Sequence, residues 1–134
     1  MDKLTRKQRS RRMSLVRHKD TKPEMTVRRL VHALGYRYRL HVNTLPGCPD
    51  LVFPFRRAVI FVHGCFWHQH RCPRGDRMPK SRQEYWRPKL RGNKARDKKH
   101  LRSLRGHGWR VCIIWECQTA NPANLIAKIK SFLR

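Results

Sequence analysis

AVIFV, residues 58–62, is a continuous apolar run of strand length between PFRR (54–57) and HGCFWHQHRC (63–72), and its reading decides the fold. A run apolar at every position suits a strand buried on both faces, in the middle of a sheet. Just upstream, DLVF (50–53) reads as a short strand, NTLPGCP (43–49) as a turn, and YRYRLHV (36–42) as a half-exposed strand that alternates apolar with basic residues. Further back, Thr21-Lys-Pro-Glu24 has capping-box spacing, and Val27, Leu30, Val31 and Leu34 recur at helical intervals before Gly35, which predicts a helix over 23–34. Downstream, residues 73–83 are loop by composition. A basic helix is expected from about 84 to Gly106 or Gly108, with Pro88 and Gly92 as candidate breaks. WRVCIIWEC (109–117) is a second buried strand. NPANLIAKIKSFLR (121–134) closes the chain as a helix with Asn121 as N-cap, Pro122 in first position, and Leu125, Ile126, Ile129, Phe132 and Leu133 on its buried stripe. This order predicts an α/β fold, a mixed sheet flanked by helices.

The 134 residues suit one domain able to bury roughly two-thirds of the surface its unfolded chain would expose. Residues 1–19 hold eight Lys or Arg and few large apolar side chains, and are expected to be a basic arm on a single domain spanning 20–134. Thirty-three Lys and Arg against eight Asp and Glu leave a formal charge of +25, spread from Lys3 to Arg134. That balance points to a polyanionic partner, nucleic acid first, with solubility as the plainer explanation. No apolar run approaches the roughly 20 residues that span a bilayer, and the N-terminus is polar, so a membrane is excluded as partner and an intracellular, cytoplasmic location is expected. Five cysteines in such a chain are thiols or metal ligands before they are disulfides.

Cys65, His70 and Cys72 form C-x4-H-x-C, and Cys117, near the end of the last strand, is placed to join them if the two buried strands are neighbours. Three thiolates and an imidazole satisfy a closed tetrahedral zinc site, which would staple the loop rather than catalyse; buried free thiols beside a surface histidine are the alternative. Cys112, mid-strand, reads as a core residue, and Cys48 has no assignment. Asp50, at a strand end in a basic protein, is either a Mg²⁺ ligand or a turn residue after Pro49. His63 and His68 are left to activate water, support the zinc site, or replace Cys117 as ligand. Phe66 and Trp67 either enter a DNA base stack or pack over the zinc; Trp86 is ambiguous in the same way, whereas Trp109 and Trp115 are expected in the core.

LPGCPDLVF, AVIFVHGCFWHQHRC and GWRVCIIWEC, with MSLVRHKDTKPE, EYWRPKL and NKARDKK in the same order, resemble the very short patch repair (Vsr) DNA mismatch endonucleases over about residues 5–117. The resemblance implies a restriction-endonuclease-like fold with structural Zn²⁺, and a Mg²⁺-dependent nick beside the thymine of T:G mismatches that arise when 5-methylcytosine deaminates. It implies Asp50 as the essential metal-binding carboxylate, His68 as general base, His63 as its assistant through water or phosphate, and Glu24 as an acidic residue near the active site. Cys65, His70, Cys72 and Cys117 match the zinc ligands. Phe66, Trp67 and Trp86 match aromatics that wedge into DNA, and Met13 matches an intercalating residue approaching from the other groove. Val62 stands where the family carries threonine, and its backbone carbonyl is the implied Mg²⁺ ligand there. Double-stranded DNA with a T:G pair is the implied partner, together with mismatch-repair proteins, for a monomer working at the nucleoid. A zinc-stapled DNA-binding module without catalysis, or a nicking endonuclease of different specificity, are the competing readings.

Overall fold

The computed structural model describes residues 21–73, 75 and 78–134; the basic arm and Met13 lie outside them. Its centre is a four-stranded sheet in spatial order β1 (Arg39–Leu40), β2 (Leu51–Phe53), β3 (Ala58–His63), β4 (Arg110–Trp115). The first two pairings are antiparallel, and β3 runs parallel to β4, with Val59 opposite Val111 and His63 opposite Trp115. As AVIFV predicts, β3 is central, and its side chains feed two cores. Ala58 and Ile60 face one side with Val27, Val31, Leu125, Ile129 and Leu133; Val59 and Phe61 face the other with Leu104. Helices α1 (Lys22–Ala33) and α3 (Pro122–Leu133) therefore cover one face of the sheet, and α2 (Gln83–Gly106) covers the opposite face.

Each helix follows from its sequence signals. In α1 the Thr21 hydroxyl accepts from the Glu24 backbone N–H at 3.3 Å, capping an end whose second residue is Pro23. In α3 the Asn121 side chain accepts from Asn124 N–H at 3.2 Å, and Leu125, Ile129 and Leu133 are fully buried. Cys112 lies in the first core, as expected of a mid-strand cysteine.

The structure corrects several local expectations. The helix from about 84 is continuous for 24 residues through Pro88 and Gly92. Pro88 lies near its start and is exposed, so the Glu84 carbonyl it leaves unbonded can turn to water. The strand expected over 36–42 pairs only at Arg39 and Leu40. Its partner β2 is bracketed by Pro49 and Pro54, and the chain leaves extended geometry at His41, whose φ is +46°. The last strand, expected to be buried, comes last in the sheet order with only Cys112 and Ile114 buried, because no strand pairs with its outer side among the described residues; it stops at Trp115, so Cys117 sits in the 3₁₀ turn Glu116–Ala120 that follows it. Trp115 is half-buried and faces the site described below instead of the core.

Candidate active site and metal centre

Among the described residues, the candidate ligands and bases meet at one end of the sheet. Because β3 and β4 are parallel, His63 and Trp115 end side by side, and because β2 is antiparallel to β3, Asp50 at its start reaches the same end. A cavity of about 880 Å³ opens there, lined by His41, Asn43, Gly47, Cys48, Asp50, Phe61, Val62, His63 and His68 and, from α2, by Asn93, Arg96, Asp97 and His100. One long basic helix thus supplies a whole wall.

Asp50 accepts a 2.7 Å hydrogen bond from the Val62 N–H. Burial, aided by the nearby charge of Glu24, pushes its carboxyl up to about 7 despite that donor. Glu24 is 1% exposed. Its backbone serves the N-cap of α1 while its carboxylate receives His41 Nε2 at 2.9 and 3.0 Å and Arg28 at 3.4 Å. Its backbone thus serves the helix cap while its side chain lies beside Asp50. Donor atoms of Glu24, His41 and Asp50 all lie within 4.8 Å of one another. Two buried carboxylates and an imidazole at this spacing fit a divalent cation, whose charge would offset the burial and repulsion that raise Asp50.

In the lining of the same cavity, His68 Nδ1 is 2.5 Å from Asp97 Oδ2. A carboxylate on Nδ1 fixes the tautomer and leaves Nε2 as the basic nitrogen. His63 stacks on His68 with centroids 3.7 Å apart and planes within 4°. Burial, then the His68 charge, push His63 down to about 4, so it is neutral at physiological pH; its Nδ1 is buried without a partner among the described residues. His63, His68 and Asp97 form a second group of potential ligand atoms within 4.8 Å.

The third group is Cys65, His70, Cys72 and Cys117. His70 Nδ1 stands 3.8 Å from Cys65 Sγ and 3.6 Å from Cys117 Sγ, and the Cys117 N–H donates to Cys65 Sγ at 3.4 Å. Ligands about 2.0–2.3 Å from one tetrahedral zinc stand about 3.5–3.8 Å apart, so the observed spacing fits. Burial pushes the Cys65 thiol up to about 12, so only a cation at this place would make it a thiolate near neutrality. Trp115 backs the group, its ring stacked on His70 at 4.1 Å. The chain folds tightly around it: a Cβ on Gly75 would collide with the His70 carbonyl and come within 2.6 Å of that of Cys65.

Phe66, Trp67 and Trp86 form one half-exposed cluster, with centroids 5.4, 5.6 and 5.8 Å apart pairwise. Lys89 lies over Trp67 and Trp86, at 5.5 and 5.9 Å. Asn93, a cavity residue, donates to the Trp67 carbonyl at 3.1 Å, so the cluster adjoins the cavity rim.

Every site residue expected from the sequence within the described region is thus brought to this end of the molecule. His41, Asn93 and Asp97 were not anticipated. For Asp97 a signal existed, since it is one of only eight acidic residues and stands in a basic helix. For His41 there was none, because in YRYRLHV it reads as one more polar strand position.

Fold and site together define a class: a basic α/β protein whose strand ends gather carboxylates, imidazoles and thiols beside a half-exposed aromatic cluster. A family model described as DNA mismatch endonuclease Vsr matches residues 1–74. The Type II nicking enzyme V.XorIIP of Xanthomonas oryzae pv. oryzae is 48% identical over 132 residues, covering 98% of this chain and 96% of that protein. The Escherichia coli DNA mismatch endonuclease Vsr is 40% identical over 116 residues (87% and 72%), and the Type II nicking enzyme V.NaeI of Lentzea aerocolonigenes 43% identical over 120 (86% and 71%). The chain belongs to the DNA mismatch endonuclease Vsr family.

Proposed function

We propose that this protein is a Mg²⁺-dependent DNA endonuclease of restriction-endonuclease-like fold that nicks one strand beside the thymine of a T:G mismatch. The observation that carries the reading is that one cavity is lined both by a carboxylate at Asp50 and by a carboxylate-oriented imidazole at His68. A cation ligand and a general base facing a shared space are what phosphodiester hydrolysis requires.

Asp50, with Glu24 behind it and the Val62 carbonyl beside it, would hold Mg²⁺, which when bound supplies positive charge at the scissile phosphate. His68 Nε2 takes the proton from the attacking water as the bond to the 3′ oxygen breaks. Asp97 stabilises the imidazolium so formed. His63, held neutral by burial, gives that cation an uncharged ring to stack on. Arg96 and the basic residues of α2 offer phosphate contacts that fix register without reading bases.

Cys65, His70, Cys72 and Cys117 would hold a structural Zn²⁺, tying the loop after β3 to the turn after β4. That staple sets where the intervening Phe66 and Trp67 point. With Trp86 they form a wedge, and a mismatched step opens more cheaply than a paired one, so insertion converts deformability into recognition. Met13 would approach from the opposite groove. Mismatch-repair proteins are the expected partners of a monomer working on the nucleoid in the cytoplasm.

The test is an end-labelled duplex with a central T:G pair, compared with its T:A counterpart. A single Mg²⁺-dependent nick on the thymine strand of the first is expected. Equal cutting of both duplexes would make the protein a nicking enzyme of different specificity, and cutting of neither would leave a DNA-binding module.

A further inference from the structure

We propose that His41 is itself a ligand of the cation held by Glu24 and Asp50, and that its imidazole turns the preference of the site from Mg²⁺ toward Mn²⁺. The inference rests on the reading of Asp50 as a cation ligand and adds to it the identity of a third donor. His41 Nε2 is 2.9 and 3.0 Å from the two Glu24 carboxylate oxygens. Adjacent ligands of an octahedral ion at roughly 2.1 Å stand about 3 Å apart, so the pair has the separation of two neighbouring corners, and a small turn of the ring off the Glu24 carboxylate would let both groups face one ion. Asp50 supplies a third corner from the same group. His41 and Asp50 both line the cavity, where water and phosphate oxygens would complete the shell.

The backbone holds the ring there. At His41 the chain turns into left-handed geometry with φ +46°, at the point where β1 ends, and its N–H donates to the Asp50 carbonyl at 3.2 Å. The histidine is thereby tied to the strand that carries the carboxylate. With the proton on Nδ1, Nε2 presents a lone pair to the ion in place of the hydrogen bond it makes to Glu24.

Chemistry then sets the preference. Mg²⁺ favours oxygen ligands and gives up water reluctantly, whereas affinity for nitrogen donors rises from Mn²⁺ along the first transition row. A site of two carboxylates and an imidazole accepts Mn²⁺ on better terms than one of carboxylates alone.

The experiment measures cation binding to the full chain, zinc-loaded and without DNA. Free Mn²⁺ is followed by its electron paramagnetic resonance signal, and Mg²⁺ by displacement of bound Mn²⁺. His41→Gln keeps a hydrogen bond to Glu24 but removes the imidazole; Mn²⁺ affinity is expected to fall about tenfold or more while Mg²⁺ affinity changes little. Asp50→Asn should weaken both. Equal loss of Mn²⁺ and Mg²⁺ in His41→Gln, or no loss of either, overturns the proposal. A measurement needing no folded variant is nitrogen-14 modulation in the pulsed resonance of Mn²⁺ bound to the wild type, and its absence is equally fatal. Failure to nick a T:G duplex would count against the reaction, yet leaves this cation result standing on its own.

Discussion

At the residue scale the informative groups are those whose surroundings oppose their ordinary charge. Asp97 holds His68 Nδ1, so with His68 as base it would be a positioning residue. Asp97→Asn should lower the rate of the chemical step about 100-fold or more while DNA binding is retained, because it disturbs tautomer and charge but not shape. A fall in affinity with an unchanged rate would reassign it to DNA contact. Asp50 gives a second prediction, for protein dialysed free of Mg²⁺. Its folded carboxyl is raised from 3.8 to about 7, so the folded state retains a proton that the unfolded state has released. Stability from this group is fully present below the unfolded value and is lost as pH rises through about 7. Melting temperature should therefore fall over that window more steeply in the wild type than in Asp50→Asn, and added Mg²⁺ should reverse the fall on the alkaline side. Identical pH profiles for the two proteins would show that the carboxyl titrates normally.

At the scale of elements, the end of β3 and the loop after it divide their side chains among three destinations: 65, 70 and 72 to the cysteine and histidine group, 63 and 68 to the cavity, 66 and 67 to the aromatic cluster. If zinc fixes that loop, Cys72→Ser and Gly75→Ala should each lose the metal and lower the melting temperature, since structural zinc contributes on the order of 10 kcal/mol of apparent folding free energy. Metal content near one ion per chain in both variants, with wild-type melting, would show that the loop holds itself. Much of this was legible in the sequence. Continuous apolarity placed β3 and β4, cap residues placed α1 and α3, and the ligand spacing placed the thiols beside His70. What escaped depended on partners distant in sequence. Strand β1 is short because Pro49 and Pro54 limit its neighbour, and helix α2 passes Pro88 because the freed carbonyl is exposed. His41 and Asp97 acquire meaning only when β1 meets α1 and when α2 lies across the strand ends.

At the scale of the molecule, a formal charge of +25 faces a phosphate polymer. If about six to ten phosphates are neutralised, affinity should drop about 10³- to 10⁵-fold between 50 and 200 mM salt, on paired and mismatched duplexes alike. An aromatic wedge would add the difference between them. Phe66→Ala combined with Trp67→Ala should weaken T:G binding more than T:A binding, whereas an equal loss on both would make these rings packing residues. Charge, wedge and cavity would then act in order: phosphates hold the duplex, aromatics select the step that opens, and Asp50 with His68 cut beside it. The most direct check of that account pairs binding with cleavage in one variant. With a labelled T:G duplex and Mg²⁺, Asp50→Ala should bind as the wild type does and yield no nick, whereas continued nicking by Asp50→Ala would contradict the account.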